Sequence, residues 1–173
     1  INSIISGSKY SKTMLGEMNG EITPRLQKIV SVMDKAGMNP FISDQIINWL
    51  VPHSAFIAVL SASVTKTGGT ILSFLKKSDN VKDAVKAIRE AFEVCSQKGI
   101  NPRKEKVNKL YCMPLLICVP IMKKIFSNED MSLMFGKYLE HGKSEVMKTL
   151  NDVLEDGNKY NIAMPYLEKL LQP

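Results

Sequence analysis

Between Asp44 and Lys66 the chain carries no charged side chain, over the stretch QIINWLVPHSAFIAVLSASVT. A segment of that length without charge has two structural outcomes, a helix surrounded by other elements or a membrane span. Its large apolar residues, from Ile46 to Leu60, fall on every side of a helix rather than on one stripe. Asn48, Pro52, His53, Ser54, Ser61 and Ser63 interrupt the run. A second apolar run, residues 110–122, is too short to span and is broken by Pro114 and Pro120. These interruptions predict a central buried helix with no membrane partner, around which the rest of the chain wraps.

A chain of 173 residues, 45% hydrophobic and 23% charged, has the material for one globular core. The net charge of +6 admits an anionic partner. The basic residues are nevertheless spread along the chain, densest at Lys76-Lys77, over residues 103–106 and at Lys123-Lys124, without interleaved aromatics. No nucleic-acid partner is expected from that pattern. Three cysteines with no CxxC pair, and only two histidines, argue against a disulfide framework and against a metal site. Cys112 and Cys118 lie in the second apolar run and read as small core residues. No positively charged leader followed by an apolar core opens the sequence, so a cytoplasmic location is the expectation.

Residues 1–20 read unlike the remainder. Ile1, Ile4 and Ile5 around Gly7, and then KTMLGEMNG, give short extended segments closed by the turn dipeptide Asn19-Gly20. Two strands make no stable sheet unaided, so we expect a strand remnant of something longer here, followed by a helical domain over residues 21–173. Thr23-Pro24 opens the first helix and Gly37 ends it, and residues 38–42 form a short extended link. Ser43 caps the central helix, in which Pro52 predicts a kink. Gly68-Gly69 marks a loop without the spacing of a phosphate cradle. Val81, Val85, Ile88, Phe92 and Cys95 mark the buried face of a helix that Gly99 stops. Asn101-Pro102 begins a segment that is first basic and then apolar, bent at Pro114 and Pro120, which fills the core or makes an oligomer contact. Asn128 caps the longest helical pattern, which Gly136 and Gly142 weaken and Gly157 closes, and a last helix from Pro165 carries Leu167, Leu170 and Leu171. The fold class is therefore an all-α multi-helix bundle with a short N-terminal strand remnant.

No complete catalytic set is visible. The chain has no GxSxG elbow, no HExxH and no paired carboxylates with an obvious role. His53 has no acidic neighbour within a helical turn and reads as a polar group on the central helix. His141, between Glu140 and Gly142, sits at an expected helix break that can face a cleft.

The run TMLGEMNGEITPRL, a helix ending in glycine, FISDQIINWL, a long apolar helix, AVKAIREAFEVCSQKGI and last EHGKSEVMKTL follow one another through nearly the whole chain. In that order and spacing the sequence resembles the second half of the ketopantoate reductase (2-dehydropantoate 2-reductase) family. The resemblance implies a C-terminal helical domain of the 6-phosphogluconate dehydrogenase C-terminal-like kind, preceded by the last strands of a nucleotide-binding domain. It implies NADPH as cofactor of the full-length parent, held by a Rossmann domain that this chain lacks, together with a small carbonyl substrate and a homodimer contact. The family's catalytic lysine lies two residues beyond a tryptophan-like anchor, with asparagines at steps of four after it. With Trp49 as the anchor those places are Val51, Ala55 and Val59. The later acidic residue falls among Glu145, Asp152 and Glu155, and Asn48, His53, Ser54, His141 and Ser144 are the polar candidates for a substrate cleft. Two functions stay open: the substrate-cleft and dimerisation domain of an NADPH-dependent oxidoreductase, or a catalytically silent helical interaction domain that kept the fold.

Overall fold

A computed structural model describes residues 12–172, with the side chains at 134, 137, 138, 140, 141 and 143 excepted. The chain is mostly helical and divides into two compact units, Ile1–Leu50 and Val51–Pro173.

In the first unit, strand β1 (Thr13–Leu15) is followed by helix α1 (Pro24–Lys35) and strand β2 (Pro40–Ile42). The two strands pair in parallel, with Thr13 opposite Pro40 and Leu15 opposite Ile42. A parallel pair needs a crossover, and α1 supplies it. The expected extended link at residues 38–42 is thus a strand, with its proline at the first position, where no ladder donor is lost inside the strand. Ile1, Ile4, Ile5 and Gly7 of the expected strand remnant lie outside the described residues. The Asn19-Gly20 turn forms, closed by Gly20 N–H donating to the Glu17 carbonyl at 3.0 Å, and it leads from β1 into α1. Thr23 caps α1, its hydroxyl accepting from Leu26 N–H at 3.1 Å and donating to Glu17 at 2.6 Å. Arg25 pairs with the same carboxylate and, with the Thr23 bond, holds Glu17 below its ordinary pKa.

Helix α2 (Ile46–Lys66) runs through Pro52. It is not buried all round, as its lack of charge had led us to expect. Ala58 to Val64 are buried, whereas Leu50 is 40% exposed, Trp49 is half-buried, and His53 and Ser54 face solvent. Among the described residues it is the one helix long and apolar enough to cross a membrane, and half of its most apolar window is buried. Absence of charge marks an apolar helix; it does not say that every side has a neighbour.

The element that the second unit is built on is α4 (Ser78–Gln97). It packs against α3 (Ile71–Lys76), α5 (Leu115–Phe126), α7 (Lys143–Lys159), α8 (Pro165–Leu171) and the two 3-10 segments Pro102–Lys104 and Lys106–Cys112. The expected inward residues Val81, Val85, Ile88, Phe92 and Cys95 are all buried. So are Ala84, Ala87 and Ala91, whose short side chains let neighbours approach closely on more than one side. The long helical pattern after Asn128 is two helices, α6 (Glu129–His141) and α7, divided at Gly142. Gly157 does not close α7 but lies buried inside it, because a Cβ there would stand 2.2 Å from the Met164 sulfur. Pro114 precedes α5 and Pro120 sits within it. Cys95 and Cys118 are buried, while Cys112 is exposed rather than part of the core.

Charged side chains on α4 reach its neighbours' ends. Arg89 donates to the carbonyls of Tyr111, at 2.7 Å, and of Met113. Glu90 accepts from the N–H groups of Tyr166, at 3.1 Å, and Leu167, at 2.8 Å, at the start of α8. Partial burial raises the Glu90 pKa, and those two N–H groups pull the other way. At the far end of α8, Lys66 donates to the carbonyls of Lys169, at 2.6 Å, and Gln172, at 2.8 Å. Glu90→Ala orphans two partly buried donors and is expected to cost about 1–3 kcal/mol in urea melts, with faster amide exchange in α8 before the rest of the unit. A loss below about 0.5 kcal/mol would show that α8 is held by its apolar contacts alone.

Candidate functional site

A groove of about 900 Å³ opens in the second unit. It forms where five helices converge. The end of α2 contributes Ala62 and Thr65, the loop before α3 contributes Thr70, and α3 contributes Ile71 and Leu72. Ser132, Leu133, Gly136 and Leu139 come from α6, Val146 and Met147 from α7, and Leu170 from α8. Local structure fixes the α3 rim, since Thr70 and Ser73 form a reciprocal capping box in which Ser73 N–H donates to the Thr70 hydroxyl at 3.1 Å. Asn128 caps α6 through its side-chain oxygen, at 2.9 Å from Asp130 N–H, which sets Glu129 at the groove's edge. The lining is aliphatic with a few hydroxyls, the composition of a site for a mainly apolar small molecule.

A second concavity, of about 730 Å³, lies beside the end of α4, lined among others by Arg89, Glu93, Asn101, Arg103 and Cys112. Arg89 is committed there to two backbone carbonyls, so its charge serves the fold.

Among the described side chains, none that the sequence offered as a site residue lines either concavity. Asn48 is half-buried and donates to Gln45, three residues back on the chain, at 2.7 Å. Val51 packs half-buried against the core, and Ala55 and Val59 lie inside it, at 2% and 0% exposure. The face of α2 that the family pattern would turn to a substrate is therefore core. Ser144 and Glu145 are exposed at the start of α7, next to Val146 and Met147 of the groove. Asp152 is exposed and pairs with Lys148 at 2.7 Å one turn earlier, and Glu155 is exposed. His141 ends α6, and its side chain lies outside the described residues. The groove residues Thr65, Ser132 and Gly136 had no motif to announce them. Gly136, a glycine inside a helix, was the nearest to a signal.

His53 is exposed, yet neighbouring atoms remove enough water to lower its pKa. Its imidazole is therefore neutral at neutral pH, a poor proton donor to a carbonyl oxygen. Burial pushes the Cys95 thiol up to about 11 and raises Cys118, so neither is a reactive thiolate at neutral pH. Among the described residues no three of His, Cys, Asp and Glu come together as a metal-binding group.

Among the described residues the βα turn after β1 is the one place where a strand leads through glycines into a helix, as a dinucleotide pyrophosphate requires. It does not fit that group. A Cβ at Gly16 would stand 2.4 Å from the Ser43 carbonyl, and one at Gly20 2.4 Å from the Asp44 carbonyl. The space beside both glycines is filled by the chain's own acceptors, and the Glu17 carboxylate lies at the start of α1. Gly20 also has φ +80°, a conformation the turn itself demands. No family model, characterised protein or solved structure matches the chain.

Two measurements check this geometry. Since the folded state disfavours charged His53, stability is expected to be full above the ordinary histidine pKa and to decline as pH falls below it; His53→Gln should flatten that part of the profile. A Cβ at Gly136 meets nothing within 4 Å, so Gly136→Ala should stabilise the chain by about 0.5–1 kcal/mol in denaturant melts, through helix propensity alone. Destabilisation would mean that the groove is closed at that wall.

Proposed function

We propose that the chain is the helical domain of a ketopantoate-reductase-like protein, of the 6-phosphogluconate dehydrogenase C-terminal-like kind, acting in the cytoplasm as scaffold and homodimer contact for a Rossmann domain in the parent. The observation that carries the reading is the β1–α1–β2 crossover running directly into α2. A parallel pair with open edges reads as the end of a larger sheet, since parallel sheets are covered on both faces in α/β proteins. That is the arrangement expected where a nucleotide-binding domain hands over to a helical one. NADPH would then belong to the parent's other domain, and a small carbonyl substrate to the cleft between them.

The silent form of this reading has its own support, from α2. A reductase needs a proton delivered to the carbonyl oxygen as hydride arrives, and a positioned acid contributes roughly a hundred- to ten-thousand-fold. Val51 has no proton to give, and Ala55 and Val59 are committed to the core. The groove, aliphatic among the described residues and with the Glu129 carboxylate on its rim, suits an apolar ligand better than a 2-oxo acid.

The parent protein, assayed with NADPH and ketopantoate, is expected to bind the cofactor by calorimetry and to turn over far below the enzyme median of about 10 per second. Val51→Lys alone is expected to leave turnover low, because an unpaired ammonium against the core loses its charge or destabilises the fold. Turnover near the median in the unaltered parent would show that another residue carries the acid and would end the silent form. Failure of the parent to bind NADPH at all would end the reductase reading itself.

A further inference from the structure

Helix α5 is apolar on both sides. Cys118, Val119, Met122 and Phe126 are buried against the unit, yet the outward face carries Leu116, 87% exposed, Ile117, 43%, and Ile121 and Ile125, each 40%. With Pro120 and Lys124, also exposed, these residues occupy about half the circumference of the helix. A helix of this kind at the surface of a soluble unit has lost a neighbour. Covering these side chains and the adjoining Met113, itself 40% exposed, removes roughly 500 Å² of apolar surface. That matches the apolar share, about two-thirds, of the ~800 Å² that each partner contributes to a stable homodimer.

We propose that this face of α5 is a two-fold interface between two copies of the chain, with the helices antiparallel and the axis passing between Pro120 and Ile121. The proposal names the surface for the dimer contact in the reading above, and it stands on α5 whether or not the parent is a reductase. The face is symmetric about that point in sequence. Leu116 meets Ile125 of the second copy, Ile117 meets the aliphatic stem of Lys124, and Pro120 meets Ile121. An isologous contact requires such self-complementarity, and a twelve-residue helix of about 18 Å is long enough to present it. Pro120 has no N–H, so the Leu116 carbonyl one turn earlier lacks its intrahelical donor. The Lys124 ammonium of the second copy, set opposite Ile117, supplies one at the rim of the contact.

A lipid surface is the competing occupant, and the same features disfavour it. A carbonyl without its helical partner is costly in hydrocarbon. The face has no Trp or Tyr and one lysine, Lys124, while the helix's other lysine, Lys123, is turned to Ser78, donating to its hydroxyl at 3.1 Å. Membrane-lying helices carry a strongly basic polar face instead.

The test is the mass in solution of the 173-residue chain by sedimentation velocity between about 1 and 100 µM. A dimer is expected. Leu116→Asp and, as a milder surface change, Lys124→Glu should each weaken it by at least about tenfold while far-UV circular dichroism, and the melting temperature at dilutions where the unaltered chain is monomeric, hold, since both positions are exposed. Ile121→Cys in a Cys112→Ser background should give a disulfide-linked dimer on mild oxidation, and Leu72→Cys, on α3, should not. A monomer across the range, a dimer indifferent to both substitutions, or equal cross-linking at the two cysteines overturns the proposal. So does a monomer that co-sediments with phosphatidylserine vesicles, which would assign the face to lipid.

Discussion

Packing neighbours around α4 on several sides leaves the polar side chains that border its buried face only partly open to water, while Asp79, Lys82 and Glu93 stay exposed. The organisation of the second unit follows from how that is resolved. Ala84, Ala87 and Ala91 let elements come close, and Asp83, Lys86, Arg89 and Glu90 are only partly exposed. Each finds a partner on a neighbouring element: Asp83 with Lys169, Lys86 with the Tyr166 hydroxyl, Arg89 with the carbonyls that end a 3-10 segment, Glu90 with the N–H groups that begin α8. An amphipathic helix ordinarily divides into a core face and a solvent face. Here the boundary positions are used to satisfy the unpaired backbone groups at the ends of other elements, which would otherwise be left without donors or acceptors.

That explains which parts of the fold could be read from the sequence. The large inward residues of α4, from Val81 to Cys95, stood out by period, and the caps at Thr23 and Asn128 are carried by residue types whose side chains accept from the helix start, whereas the Thr70 cap lay in a stretch read only as a loop. The alanines did not stand out, because alanine is equally at home inside and outside a helix, so the hub of the unit was not legible. The error at α2 has the same root in reverse. Twenty-one uncharged residues suggested burial, while His53 and Ser54 were already marking the side that faces water. Strand β2 escaped notice because three residues beginning with proline carry no period, and only a partner 27 residues earlier makes them a strand.

The groove could not have been anticipated at all. Its walls come from five helices, and none of them contributes a residue pattern that differs from ordinary core or surface. The candidate residues drawn from the family pattern do not converge there, and on α2 two of the three positions that matter are sealed in the interior. Among the described residues the groove offers shape, apolar surface, a few hydroxyls and the Glu129 carboxylate, while the shifts at His53, Cys95 and Cys118 favour their neutral forms at neutral pH.

The attachment of α8 differs in kind from that of the other helices. Of its seven residues Leu167 alone is fully buried, whereas opposite charges hold its two ends, carboxylate at the positive end of its dipole and ammonium at the negative one. Attractions of that sort at a partly wet surface weaken as ions accumulate, over a distance of about 8 Å at physiological ionic strength, while apolar contacts strengthen under excluded salts. The last helix and the α4 core therefore respond to salt in opposite directions. Since Leu170 forms part of the groove, ionic strength becomes a means of widening that groove without loosening the core beneath it.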